Sequence, residues 1–172
     1  MTDYLAVSER GAFEGLRAEL IEGEIIFVNP QFRPHARVKM ALYDALRDAL
    51  EQMSGALSAL SKVSLGLSEL DMPQPDITLT SEPLGEGPVP LASVALLVEI
   101  ADASLQIDLT RKAAAYARYG VAEYWVADVN GRVMHQMWAP AGEAYAERRE
   151  VAFGEVVEAV TVAGLKVETE RC

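Results

Sequence analysis

Residues 94–100 read Val-Ala-Leu-Leu-Val-Glu-Ile, an apolar run interrupted by a single acid. A strand with one wet face alternates apolar and polar side chains, whereas an almost unbroken apolar run is expected of a strand covered on both faces. This run therefore predicts a sheet at the centre of the fold with layers packed on both sides. It also puts Glu99 where a carboxylate is costly unless it is paired or holds a metal.

Downstream of this run, Asp108 to Tyr119 reads as a helix stopped by Gly120. Ala122 to Val129 and Arg132 to Trp138 flank Asn130-Gly131, a strong short hairpin signal. Tyr145 to Ala152, Val156 to Val162 and Leu165 to Glu168 add short β segments. Upstream, Ser81 to Pro90 is a proline- and glycine-rich loop, and Asp76 to Thr80 is a short alternating strand behind Pro73 and Pro75. Val63, Leu65 and Leu67 alternate with Ser64, Gly66 and Ser68, which predicts another half-buried strand.

Between Pro34 and Gly55 the apolar residues Val38, Ala41, Leu42, Ala45, Leu46, Ala49, Leu50 and Met53 recur every three or four positions. That is one stripe of an amphipathic helix. Arg37, Asp44, Arg47, Asp48 and Glu51 occupy its solvated side. Ala18 to Val28 reads as two short strands about Gly23, and residues 1–12 as a loosely ordered lead-in. Helices interspersed with many strands, one of them buried, give an α/β or α+β sandwich around one sheet.

The chain has 172 residues, 51% of them hydrophobic and 24% charged, enough for one domain with a real core and too apolar for disorder. The longest apolar stretch, Val89 to Val98, contains Pro90 and Ser93 and is too short to cross a bilayer, so no membrane partner is expected. The opening Met1-Thr2-Asp3-Tyr4 carries no secretory signal. A lone Cys172 excludes a disulfide framework and a cysteine-rich zinc site, and a reducing cytoplasm is the default expectation. The net charge of −11 opposes a broad DNA-coating surface but not a local site for a metal and one phosphate.

Three polar residues stand where a sheet-building sequence does not need them: Asp76 at a strand start, Glu99 in the buried run, and Lys112 on the next helix. If the two strands are neighbours, Asp76 and Glu99 converge into a hard-oxygen site suited to Mg²⁺ or Mn²⁺, with an ammonium nearby to orient water. Each has a plainer reading. Asp76 can cap a turn, Glu99 can close a strand at a solvent edge, and Lys112 can pair with Asp108 at i, i+4. Tyr124 and Trp125 read as core, His135 as cross-strand packing, and no phosphate loop or nucleophile elbow is present.

Several blocks resemble one family. They are Pro75-Asp76, Val98-Glu99-Ile100, Asp108-x-x-x-Lys112-x-x-x-Tyr116, and the run Tyr119-Gly120-Val121-Ala122-Glu123-Tyr124-Trp125-Val126-Ala127-Asp128. The opening Glu19-Leu20-Ile21-Glu22-Gly23-Glu24, His35 and Gly164-Leu165 match as well. Together they resemble the Uma-two family of restriction-endonuclease-like proteins in the PD-(D/E)XK nuclease superfamily, over about residues 16 to 168.

The resemblance implies a nuclease-like core, a central mixed sheet flanked by helices, and Asp76 and Glu99 as metal ligands. The superfamily usually carries its lysine two residues after the glutamate, a position that is Ala101 here. The family pattern moves it to the following helix, at Lys112. The loop after Glu99 also departs: Ala101-Asp102-Ala103-Ser104-Leu105 stands where the family has a Ser-Pro-Ser-Thr-like run. Glu19, matching better than Glu22, is a further candidate for the shell, and His35 for the edge of the site.

The expectation is therefore a Mg²⁺- or Mn²⁺-dependent endonuclease acting on DNA as a C2 homodimer. A nuclease-fold binding or assembly module without useful turnover is the alternative. A third reading is a nuclease acting on a structured or protein-held nucleic acid, where a partner supplies the missing basic surface.

Overall fold

The computed structural model describes Tyr4, Val7 and residues 18–27, 31–53 and 55–172. Apart from those first two positions, the expected lead-in over residues 1–12 lies outside the described residues. In chain order the elements are β1 (Ala18–Ile21), β2 (Glu24–Phe27), α1 (Arg33–Met53), β3 (Ser58–Ser61), β4 (Leu65–Gly66), β5 (Ile77–Thr80), β6 (Val89–Pro90) and β7 (Val94–Ala101). A continuous helix, α2, follows as three segments, Leu105–Ile107, Asp108–Lys112 and Ala113–Arg118, the middle one wound as a π turn. The chain then forms β8 (Glu123–Asp128), β9 (Val133–Ala141), β10 (Ala144–Ala152), β11 (Val156–Glu158) and β12 (Lys166–Glu168).

Six strands form the main sheet in the order β10-β9-β8-β7-β5-β3. Only β7 and β8 are parallel; the other neighbours run antiparallel, so the sheet is mixed. Parallel neighbours need a crossover, and α2 supplies it. As the apolar run predicts, β7 is covered on both sides. Leu96, Val98 and Ile100 join Trp125 under the Val38, Leu42, Leu46 and Leu50 stripe of α1. Leu97 and Ala101 join Tyr116, Tyr124 and Val126 on the α2 side. The small antiparallel pair β11–β12 adds Val157 and Val167 to the α1 side.

Two local expectations are corrected. The strand that extends the sheet is β3, with Ala59 opposite Leu79, whereas the Val63-to-Leu67 alternation contributes only the two-residue β4, paired in parallel with β6. An edge strand is held by its ladder to β5, so its Ser-Ala-Leu-Ser sequence need not announce it. Leu65 and Leu67 are buried, but over the α2 side of the sheet.

The β8–β9 hairpin is present, but its register, Asp128 opposite Val133, leaves a four-residue loop. Asp128 Oδ1 accepts from the Asn130 and Gly131 amides at 3.0 and 2.9 Å, and Arg132 takes the positive φ of 53°. Gly131 is needed for space, since a Cβ there would run into the Asp128 carboxylate. The β1–β2 turn does follow the mirror-image geometry, with positive φ at Glu22 and Gly23.

Candidate active site

The register of β5 and β7 pairs Ile77 with Val98 and Thr78 with Leu97. One step further along that register, Asp76 falls opposite Glu99. Asp76 reaches across the gap: its Oδ2 accepts from the Ile100 amide at 2.9 Å. The same carboxylate is held by His35 Nε2 at 3.2 Å, Lys62 Nζ at 2.8 Å and Gln31 Nε2 at 3.0 Å. Burial works against its charge, but the His35 hydrogen bond and the Lys62 ammonium outweigh it and hold the carboxyl well below the usual range. His35 is thus buried on the first turn of α1 against Asp76, and among the described residues its other ring nitrogen, Nδ1, has no hydrogen-bond partner.

Glu99 has a different environment. Its Oε1 accepts from Lys112 Nζ at 2.9 Å and from the Tyr116 hydroxyl at 3.1 Å. Lys112 also lies 3.2 Å from Glu19 Oε2 and 3.8 Å from Asp108 Oδ1. Burial pushes the Glu99 carboxyl up to about 8; Lys112 opposes this, and the Asp108, Asp76 and Glu19 charges add to it. Burial alone would depress the Lys112 ammonium, yet the three carboxylates around it raise its pKa and keep it charged.

The π turn of α2 re-aims this machinery. Asp108 opens the turn, Lys112 closes it and Tyr116 lies one turn on, all directed at the end of β7. Such single turns recur at functional sites because they rotate side chains away from the regular helical stripe. Glu19 is positioned by β1, which is bridged through Leu20 to Met72, just ahead of Asp76. Glu22 instead turns outward, to Arg111 and Arg118.

Among the described residues, no group of three or more His, Cys, Asp and Glu side chains has the spacing of a metal centre. The cluster nevertheless gathers four carboxyl groups. Glu19, Asp76, Glu99 and Asp108 are buried, with the ammoniums of Lys62 and Lys112 as their cationic partners besides His35. All four offer hard oxygen donors, which fits a divalent ion of the Mg²⁺ or Mn²⁺ kind in donor type.

A family model described as "Putative restriction endonuclease", Uma2, matches residues 1–170. The chain belongs to the Uma2 family. Its fold is similar to the crystal structure of a "putative nuclease belonging to DUF820" from Anabaena variabilis ATCC 29413, with a TM-score of 0.69 at 14% identity, covering 90% of this chain and 88% of that one. No curated protein matches the sequence. No helix among the described residues is long and apolar enough to cross a membrane.

In this Uma2 chain all five sequence-predicted residues, Glu19, His35, Asp76, Glu99 and Lys112, gather at one end of the sheet. Of the plainer alternatives, a solvent edge does not describe Glu99, which is buried at 3% exposure, whereas Lys112 does pair with Asp108 at 3.8 Å and adds a closer contact to Glu99 at 2.9 Å. Sequence reasoning missed Gln31 and Lys62 on Asp76, and Tyr116 on Glu99. Tyr116 stood in the family-like block, at i, i+4 from Lys112, without a role assigned to it. His135 pairs across strands with Glu150 at 3.1 Å, away from the cluster.

The raised Glu99 pKa has a stability consequence. The folded state keeps a proton that the unfolded state releases, so metal-free stability falls as pH rises from the ordinary carboxylate range to about 8, then levels. Glu99→Gln is expected to flatten that decline and to be more stable than wild type at pH 9 by at least about 1 kcal/mol, the equivalent of one pKa unit. Urea unfolding at pH 5, 7 and 9 in EDTA measures it. An unchanged slope in the variant would assign the pH dependence to another group.

Proposed function

We propose that the protein hydrolyses phosphodiester bonds of DNA, with Asp76 and Glu99 holding Mg²⁺ or Mn²⁺ and Lys112 assisting. The observation that supports this reading is that Asp76 and Glu99, remote in sequence, stand at adjoining strand ends, Asp76 on the Ile100 amide next to Glu99 and Glu99 with an ammonium 2.9 Å away. A bound divalent ion would polarise a phosphate oxygen and lower the pKa of a water.

The chain's own groups have separable tasks. His35, Lys62 and Gln31 fix the Asp76 carboxylate in orientation and keep it ionised across the neutral range. Tyr116 and Lys112 fix Glu99. Lys112, permanently charged, orients the attacking water and offsets negative charge growing on the phosphorus oxygens in the transition state. Glu19 and Asp108 hold its stem end over the strand. Cutting both strands of a duplex calls for two such sites, which a C2 dimer would supply.

One observation favours the alternative, a binding module without turnover: the Lys112 ammonium already neutralises part of the carboxylate cluster. Incubation of supercoiled, linear and single-stranded DNA with Mg²⁺ or Mn²⁺ separates the two. Wild type is expected to cut at least one form, and Asp76→Ala to be slower by about a hundredfold or more. Equal cutting by both proteins, or none by either on every form, would contradict the nuclease reading.

A further inference from the structure

A second feature, of opposite sign to the carboxylate cluster, lies at the start of α1. Arg33, Arg37 and Arg132 line an open pocket of about 600 Å³, with Pro34, Val38, Val129 and Cys172 completing its lining. In a chain of net charge −11, basic groups usually find acids close at hand. Arg47, Arg111, Arg118, Lys62 and Lys112 all do. Among the described residues none of the three pocket arginines makes an ion pair; Arg132 lies over the Phe153 ring. Three guanidiniums facing one space repel each other unless an anion joins them.

The pocket is built from the same elements as the site. Arg33 and Arg37 stand two residues either side of His35 on the first turns of α1, on the exposed face, while the buried His35 contacts Asp76 from the other face. On the other wall, Val129 donates its amide to Ala101 O at 2.9 Å, two residues beyond Glu99. Asn130 Nδ2 reaches Asp102 O at 2.8 Å. The acidic cluster and the basic pocket therefore share the end of the sheet where β7 and β8 finish.

We infer that this pocket holds a backbone phosphate of the nucleic acid, away from the bond presented to Asp76 and Glu99 and across α1 from it; the inference rests on the nuclease reading and extends it. Guanidinium forks match phosphate oxygens two at a time, and arginine dominates where planar, bidentate recognition is needed. A local arginine trio also answers the charge objection: the acidic chain makes a few concentrated phosphate contacts in place of a broad basic face. The same chemistry would accept free phosphate, so the test separates the two sources.

The experiment measures binding of the full chain to a fluorescein-labelled DNA duplex by anisotropy, with Ca²⁺ replacing Mg²⁺, over a salt series, with and without inorganic phosphate as competitor. Arg37→Gln and the Arg33→Gln/Arg37→Gln pair change exposed side chains and leave the core alone. Arg47→Gln, on the same helix and outside the pocket, is the control. The expected result is weaker binding, with the slope of log K against log salt less steep by about one per arginine removed and unchanged in the control. Slopes identical to wild type, undetectable wild-type binding, or a loss of phosphate competition with DNA affinity intact would overturn the inference. A wild type that cuts DNA while its binding ignores these arginines would overturn this inference alone. Arginine-dependent binding without metal-dependent cutting would overturn the nuclease reading alone.

Discussion

Replacing Lys112 with methionine is expected to destabilise the metal-free protein by about 3–5 kcal/mol at pH 8, because it removes the cation from a buried cluster. Methionine keeps most of the stem and none of the charge. Glu19, Glu99 and Asp108 would then face one another without their shared partner. Part of the penalty is escapable by protonation, since the Glu99 carboxyl already sits near 8. The loss should therefore shrink as pH is lowered to 5. Mn²⁺, supplying the missing positive charge, should raise the thermal midpoint of Lys112→Met more than that of wild type. Cleavage per folded molecule should fall by about 10²–10⁴-fold, the usual contribution of a positioned proton-transfer or water-orienting group. Urea unfolding with and without Mn²⁺ checks the first part and a plasmid assay the second. A cost under about 1 kcal/mol that ignores pH would mean that the ammonium does not neutralise these carboxylates.

Glu123→Ala is expected to cost a similar amount, about 3–5 kcal/mol, for a different reason and without loss of specific activity. Glu123 is fully buried at the start of β8. Its two oxygens accept from Trp125 Nε1 at 2.7 Å, the Val160 amide at 2.9 Å, and the Thr161 amide and hydroxyl at 2.7 and 2.9 Å. Truncation would leave all these donors unsatisfied and free the segment after β11 from the sheet. Glu123→Gln should lose less, since it keeps the volume but turns one acceptor into a donor facing donors. Glu123 shares the α1 side of the sheet with Trp125, while Glu99 points to the α2 side, so the sheet separates the two buried glutamates. Denaturation combined with activity per folded molecule tests this. Lost cleavage at intact stability would show that Glu123 serves the chemistry after all.

How much of this was readable before the fold was known differs by residue. The apolar run around Glu99 announced a doubly covered strand because burial on both faces leaves no choice of composition. The α1 stripe was equally legible, since its period is a direct consequence of packing one face. Ser58–Ser61 was not, because an edge strand is specified by its neighbour more than by its own side chains. The Asn130-Gly131 pair gave the hairpin but not its loop, which is set by the Asp128 carboxylate folding over the turn.

In the site, Asp76 and Glu99 stood out because their charge conflicts with their surroundings. Lys62 and Gln31 carried no such conflict: they lie outside the regular elements, and only the tertiary fold brings them to Asp76. The π turn in α2 also escapes a reading based on 3.6-residue periodicity, yet it belongs to the stretch that aims Asp108 and Lys112. Glu123 sat within the most specific family-like block, but its task depends on the amides of Val160 and Thr161, far along the chain.

Most depends on whether the carboxylates of Asp76 and Glu99 share a divalent ion. Crystals soaked in Mn²⁺ and measured for anomalous scattering test this directly. The account predicts one strong peak within coordinating distance of oxygens from both residues, with Lys112 still beside Glu99. A clean map with no peak there, or manganese bound only elsewhere at millimolar concentration, would contradict it.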